Sequence, residues 1–155
     1  MRRTIIILCS LFYIALSTSF ARTVQHFPWI QFDKGNAQLS QASKDSLRFM
    51  VKALNDYPGL VILIDGHASH DEGNSTLKAA LSLQRAQSCR DYLISQGIDS
   101  ARLVIKGWSD KRPLPGLDNK SIRKMKTEEK EAAYSVNRRV EFRTLRFNYT
   151  PITNK

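Results

Sequence analysis

Cysteine is scarce in this chain. Only Cys9 and Cys89 occur in 155 residues, so a disulfide framework cannot hold the fold together. Acid is short beside base, with 14 Asp and Glu against 24 Lys and Arg and a net charge of +10. Long apolar runs are also few. The stretch Thr4 to Leu16 falls short of the about 20 residues a membrane span requires. There is no Gly-x-Ser-x-Gly elbow, no HExxH helix and no Gly-rich phosphate loop, which leaves acyl transfer, zinc hydrolysis and nucleotide chemistry without their usual motifs. Internal repeats and low-complexity tracts are missing as well.

What is present begins with an export address. Met1-Arg2-Arg3 is a positive n-region, Thr4 to Leu16 is an apolar h-region, and Ser19-Phe20-Ala21 places small residues where a signal peptidase reads. Residues 1–21 are expected to be a cleaved signal peptide, followed by a lead over 22–28. Cys9 precedes the end of the apolar region, so it does not read as a lipid-attachment cysteine. Cleavage removes Arg2 and Arg3 and no acid, lowering the net charge by two from +10 to +8. A basic exported domain is drawn to anionic envelope polymers and head groups. Export sets nucleic acid aside as a partner.

The remaining length suits one core. A short strand is expected at 29–33, delayed by Pro28. Ser40 then caps a helix whose Leu47, Met50, Val51 and Leu54 fall at i, i+3, i+4 and i+7. Tyr57-Pro58-Gly59 stops it, and Leu60 to Asp65 reads as a buried central strand. Asn74 or Ser75 starts a second helix that runs to Ser95 before Gly97. Leu103 to Gly107 and Val140 to Phe147 supply the last two strands, the latter with Val140, Phe142 and Leu145 expected near one side and arginines on the other. The order β-α-β-α-β-β predicts an α+β two-layer sandwich, with a mixed four-stranded sheet and helices on one face. Residues 109–136 form a surface excursion with one exposed helix expected over 122–134, and 148–155 is a tail.

Two features suggest a site. The loop IDGHASHDEG (64–73) follows the most apolar strand and carries His67, His70, Asp71 and Glu72. It has three readings: metal ligands, one wall of a cleft for a charged ligand, or a solvated turn. Two histidines three apart have no fixed third and fourth ligand here, so no metal is expected. Arg85 is the second feature. Leu77, Leu81, Arg85, Cys89 and Leu93 are spaced by four, so a guanidinium lies on or beside an apolar stripe. It must reach the rim, pair with an acid or receive an anion, because an unpaired buried charge costs several kcal/mol, on the order of 3 to 5. Arg138 and Arg139 precede the last strand and point to opposite sides of the sheet.

Five stretches, in order and spacing, carry a resemblance: IQFDKGNAQLS (30–40), VILIDGHAS (61–69), LSLQRAQSCRDYLISQGID (81–99), RLVIKGWSDKRP (102–113) and NRRVEF (137–142). Together they resemble the peptidoglycan-binding OmpA-like C-terminal domain, found also in peptidoglycan-associated lipoproteins and flagellar motor stator proteins, over residues 29–147. The resemblance implies a non-catalytic periplasmic domain, without cofactor, that binds the zwitterionic end of diaminopimelate in a stem peptide and anchors an envelope component to the cell wall. At most it is peripheral to the outer membrane. In the family an arginine of a Leu-Ser-x-x-Arg-Ala motif takes the ligand carboxylate, and Arg85 matches it. Arg138 matches a second cation. The family aspartate that takes the ligand ammonium is replaced by Ser69 in Gly66-His67-Ala68-Ser69, which forfeits on the order of 1 to 3 kcal/mol of charge-assisted bonding. The loop is also one residue longer than the family pattern. Asp71 or Glu72 is therefore the candidate substitute acid, with His67 beside it. The alternative is a subunit that keeps the fold and has lost the ligand, making protein contacts in an envelope-spanning secretion or motility complex.

Overall fold

The computed structural model describes residues 27–150. The expected signal segment 1–21 lies outside the described residues. Strand β1 is Ile30–Gln31, helix α1 Gln41–Asp56, β2 Val61–Gly66, α2 Ser75–Ser95, β3 Leu103–Gly107, α3 Asn119–Arg123, α4 Thr127–Ser135 and β4 Arg139–Arg146. The sheet order is β1-β4-β2-β3. β2 and β3 run parallel, with Ile62 opposite Leu103 and Ile64 opposite Ile105. β4 lies antiparallel to both β1 and β2, which makes the sheet mixed and the fold α+β as expected.

Local chemistry explains the helices. The Ser40 hydroxyl accepts the Ser43 amide at 3.1 Å and opens α1. Leu47, Met50 and Leu54 then face the sheet, fully buried with Ile62, Ile64 and Val140. Asn74 opens α2 in the same way, its side-chain oxygen accepting from the Leu77 amide at 2.9 Å. The α2 stripe differs from the expected one. Leu77 is 58% exposed, and the buried face is Lys78, Ser82, Arg85, Ala86, Cys89 and Leu93. A line drawn every four residues drifts by about 40° per step on a helix of 3.6 residues per turn, so Leu77 has rotated off the face that Cys89 and Leu93 define.

Two glycines set how closely α2 approaches the sheet. Gly66 and Gly107 sit side by side at the ends of β2 and β3. A Cβ on Gly66 would lie 1.9 Å from the Ser82 carbonyl oxygen, and one on Gly107 would lie 2.8 Å from Ser82 Oγ. Ser82 is small enough for this contact, and its hydroxyl also accepts the Ser109 amide at 2.9 Å. Arg85, one turn further along, is thereby held over the loops that leave β1 and β2.

The other departures are local. β1 spans two residues rather than five, since after Gln31 the chain bends toward the turn at Gly35 (φ 67°). In β4 the register shifts so that Val61 opposes Arg146 and Ile62 opposes Thr144. Leu145 is left as a bulge and is exposed rather than sharing the face of Val140 and Phe142. The excursion folds as two short helices instead of one. Asp118 caps α3 through the Lys120 and Ser121 amides, and Lys126, whose amide donates to Glu129 at 3.2 Å, restarts the chain as α4. Buried Ile122 anchors α3, and Asn137 ties the excursion down by accepting from the Leu114 amide and donating to the Leu117 carbonyl. Among the described residues no helix is long and apolar enough to cross a membrane.

Gly66→Ala drives a methyl into a backbone oxygen and is expected to cost about 3 kcal/mol, the upper end of the usual range for overpacking. Urea denaturation followed by circular dichroism checks this as a lowered midpoint.

Candidate functional site

Three segments converge on Arg85: the turn Asp33 to Asn36 after β1, the loop 67–74 after β2, and α2 itself. The Arg85 side chain is fully buried, and every N–H of its guanidinium is used. Nε donates to the Asn36 carbonyl at 2.9 Å. Nη1 donates to the His67 carbonyl at 3.0 Å and to Glu72 Oε2 at 2.8 Å. Nη2 donates to the Asp33 carbonyl at 3.0 Å and to Glu72 Oε1 at 2.6 Å. The guanidinium carbon lies 5.4 Å from the centroid of the Phe32 ring, which adds a cation–π contact.

Glu72 is equally saturated. Besides the Arg85 fork, its Oε1 accepts the Gly35 amide and its Oε2 the Ser69 amide, each at 2.8 Å. Burial by itself would raise the Glu72 pKa, but Arg85 and the two amides outweigh it and hold the carboxyl below its ordinary range. The assembly is a carboxylate cradle of four aimed donors, and its occupant is the chain's own Glu72.

A second, opposite-sign contact shares Ser69. The Ser69 hydroxyl donates to Asp71, and Asp71 receives the Lys34 ammonium at 2.6 Å. Burial pushes the Asp71 pKa up, but Lys34, Ser69 and the charge of Arg138 overcome it, so the acid stays ionised. Lys34 is 55% exposed. Arg138 is buried and donates through Nη2 to Glu131, an acid of α4 that is itself 68% exposed; its Nε has no hydrogen-bond partner among the described residues. A cavity of about 260 Å³ opens here, lined by Gln31, Phe32, Asp33, Lys34, Glu131, Ser135 and Arg138.

The structure thus brings Arg85, Glu72 and Ser69 into one cluster, and Ser69, Asp71 and Arg138 into its neighbour. His67 contributes its carbonyl to Arg85. Its ring is buried, with Nε2 3.9 Å from Glu141 Oε2 and neither nitrogen hydrogen-bonded. Burial first, and the charge of Arg139 second, push the imidazole pKa down to about 4. Arg139 turns the other way from Arg138 and pairs with Glu141 at 2.7 Å. Among the described residues no group of three or more His, Cys, Asp or Glu is placed to hold a metal ion.

Sequence reasoning did not pick out Lys34 or the Gly35 amide. The signal was Asp33-Lys34-Gly35-Asn36, a turn directly after a short strand, where glycine can present its N–H inward. It also left open which acid plays which part: Glu72 holds Arg85, and Asp71 holds an ammonium. Lys78 is buried and paired with Asp110, and Asp110 also contacts His70 Nδ1 at 2.9 Å.

Arg85→Ala strands the Glu72 carboxylate in the interior and is expected to cost about 3 to 5 kcal/mol, read by chemical denaturation. The site also makes stability pH-dependent. The unfolded chain protonates His67 near 6.5 and the folded chain only near 4, so stability falls as pH drops through that window. Glu72 and Asp71, with folded pKa values below their ordinary ones, add a loss of the same sign once the unfolded carboxyls begin to protonate, near about pH 4.5. Melting temperatures across pH should therefore decline below about 6.5 and more steeply below about 4.5. His67→Gln should flatten only the upper part of the profile.

Comparison with known proteins places this geometry. The OmpA family matches residues 31–127, more than half of the chain, from β1 to the first residue of α4. A peptidoglycan-associated lipoprotein of Mesorhizobium japonicum is 30% identical over 90 residues, 58% of this chain and 53% of that protein. The chain spans about half the length of the curated relatives it matches. Among solved structures, the peptidoglycan-associated lipoprotein from Burkholderia pseudomallei superposes with a TM-score of 0.62 at 22% identity, covering 75% of this chain and 88% of that one. The cell wall anchor of the T6SS from Pseudomonas aeruginosa superposes with a TM-score of 0.55 at 23% identity, covering 74% and 76%. At these identities the superpositions speak for the fold, while the match over 31–127, which takes in β1 to β3, the Asp33 turn, the 67–74 loop and Arg85, makes the chain a member of the OmpA family.

Proposed function

We propose that this is a non-catalytic, periplasmic domain that binds the peptide stem of peptidoglycan and anchors an envelope component to the cell wall. The observation that carries the reading is the pairing of two charge-selective contacts through one residue. Ser69 gives its amide to a carboxylate held by Arg85 and its hydroxyl to an acid that holds an ammonium. A zwitterionic amino-acid end, such as that of diaminopimelate, presents both charges at short separation. Arg138 and Lys34, around the adjoining cavity, supply further cationic contacts for stem-peptide carboxylates. Membership of the OmpA family and the likeness to a peptidoglycan-associated lipoprotein support the same ligand class. An export signal at 1–21 would deliver the domain to that compartment.

A second reading has its own support. Glu72 already saturates Arg85, and Lys34 already sits on Asp71. A domain so filled fits a subunit that has given up the ligand and serves through protein contacts in an envelope-spanning assembly.

Retention of the exported chain on purified sacculi separates the two. Binding that survives physiological salt and drops at least about tenfold in Arg138→Ala, a change of about 1.4 kcal/mol, is the expected result. A folded chain that is not retained, or is retained only at low salt and equally by Arg138→Ala, would favour the structural subunit. Arg138→Ala serves better than Arg85→Ala here, because Glu131 on the far side of the pair is largely exposed and can be left to solvent.

A further inference from the structure

We infer that the Arg85 cradle is a working carboxylate site held shut by the chain's own Glu72, so that an external carboxylate must compete with this side chain to enter. The inference deepens the peptidoglycan reading and rests on it only for the identity of the natural competitor. Four donors converge on the Glu72 oxygens: Arg85 Nη1 and Nη2 and the amides of Gly35 and Ser69, at 2.6 to 2.8 Å. Three of the four come from other segments, Gly35 after β1 and Arg85 on α2, the fourth opens Glu72's own turn at Ser69, and two are backbone groups that no side-chain substitution removes. An ion pair on the surface, where water serves both partners, does not need such a set. A receptor for a planar carboxylate does.

The same loop shows the complementary half. Asp71 carries the Lys34 ammonium at 2.6 Å, so the chain presents to itself both a carboxylate and an ammonium, the two charges of an amino-acid zwitterion. The halves differ in how readily they exchange. Lys34 is 55% exposed and is free to leave into solvent, whereas the Glu72 side chain is fully buried. Glu72 lies in the loop between Ser69 and Gly73, where Gly73 has φ 95° and supplies a pivot at the end of the segment that carries it. Apparent affinity for an outside carboxylate is reduced by the fraction of molecules in which the cradle is closed.

Glu72→Ala removes the Cγ methylene and the carboxylate, the atoms of one acetate ion, and leaves all four donors in place. Melting of wild type, Glu72→Ala and Glu72→Gln is compared in acetate and in chloride at equal ionic strength. The expected result is a saturable rise of melting temperature with acetate in Glu72→Ala, absent from wild type and from Glu72→Gln, whose amide still fills the space. If Glu72→Ala is unfolded in chloride, recovery of its folded circular dichroism signal in acetate reads the same site. A Glu72→Ala protein that responds to acetate no more than wild type does overturns the inference. Titration with a diaminopimelate-terminated stem peptide then tests the competition, with Glu72→Ala expected to bind at least about tenfold more tightly than wild type. If wild type binds and Glu72→Ala binds no better, the competition is overturned. If neither binds the peptide while acetate still stabilises Glu72→Ala, the peptidoglycan reading fails and the self-occupied cradle stands.

Discussion

A guanidinium with no access to water has to be matched on every N–H, and at Arg85 that requirement organises the molecule. An uncompensated charge at this depth would cost more than most single interactions in the domain return. The matching groups come from two loops far apart in the chain: carbonyls of Asp33 and Asn36 after β1, and the carbonyl of His67 with the carboxylate of Glu72 after β2. The two loops are therefore fixed in shape by α2. α2 is fixed in turn by Gly66 and Gly107, which let Ser82 meet the sheet at backbone distance.

That constraint also decides what the rest of the site can do. With Glu72 committed to Arg85, Asp71 is the acid left to hold an ammonium, and Ser69 links the two by donating to both. Glu72 folds back under Ser69, and its own amide donates to the Ser69 carbonyl at 3.3 Å. Ser69 itself carries no charge, and the negative charge of the loop sits at two neighbouring positions, Asp71 and Glu72. One of them faces inward and stabilises the fold. The other stays at the rim. In the proposed exchange, whatever enters the cradle must replace the contacts that Glu72 makes, which couples recognition to stability.

Much of the fold was legible in the sequence because burial pattern and punctuation agreed: α2 between Asn74 and Gly97, β2 over the apolar run, β3 at Leu103 to Gly107. The parts that differed were set by contacts between distant segments. Leu77 reads as core on a four-residue line and is exposed, because only the sheet contact at Ser82 fixes the rotation of α2. Leu145 reads as an inward residue and is a bulge, because register depends on the partner strand. Residues 122–134 have helix formers throughout, yet one helix, capped by Asp118, starts before that stretch and ends at Arg123, and a second starts after Lys126. At the site, Arg85 stood out as a cation on an apolar stripe, whereas the division of labour between Asp71 and Glu72 was hidden, because side chains one residue apart in a loop can point to opposite environments. Lys34 was invisible for a related reason. A lysine beside a turn glycine looks solvated until the loop holding its acid is placed against it.

The proposed competition sets Glu72 against an incoming carboxylate for the same four donors. It is tested most directly by following the Glu72 side-chain carboxyl carbon and the Arg85 Nε resonance by NMR while a stem peptide ending in diaminopimelate is added to the wild-type chain. Both signals are expected to shift together and saturate with the same binding curve, as Glu72 leaves and the ligand carboxylate takes its place. Saturable peptide binding that leaves both signals where they were would contradict it.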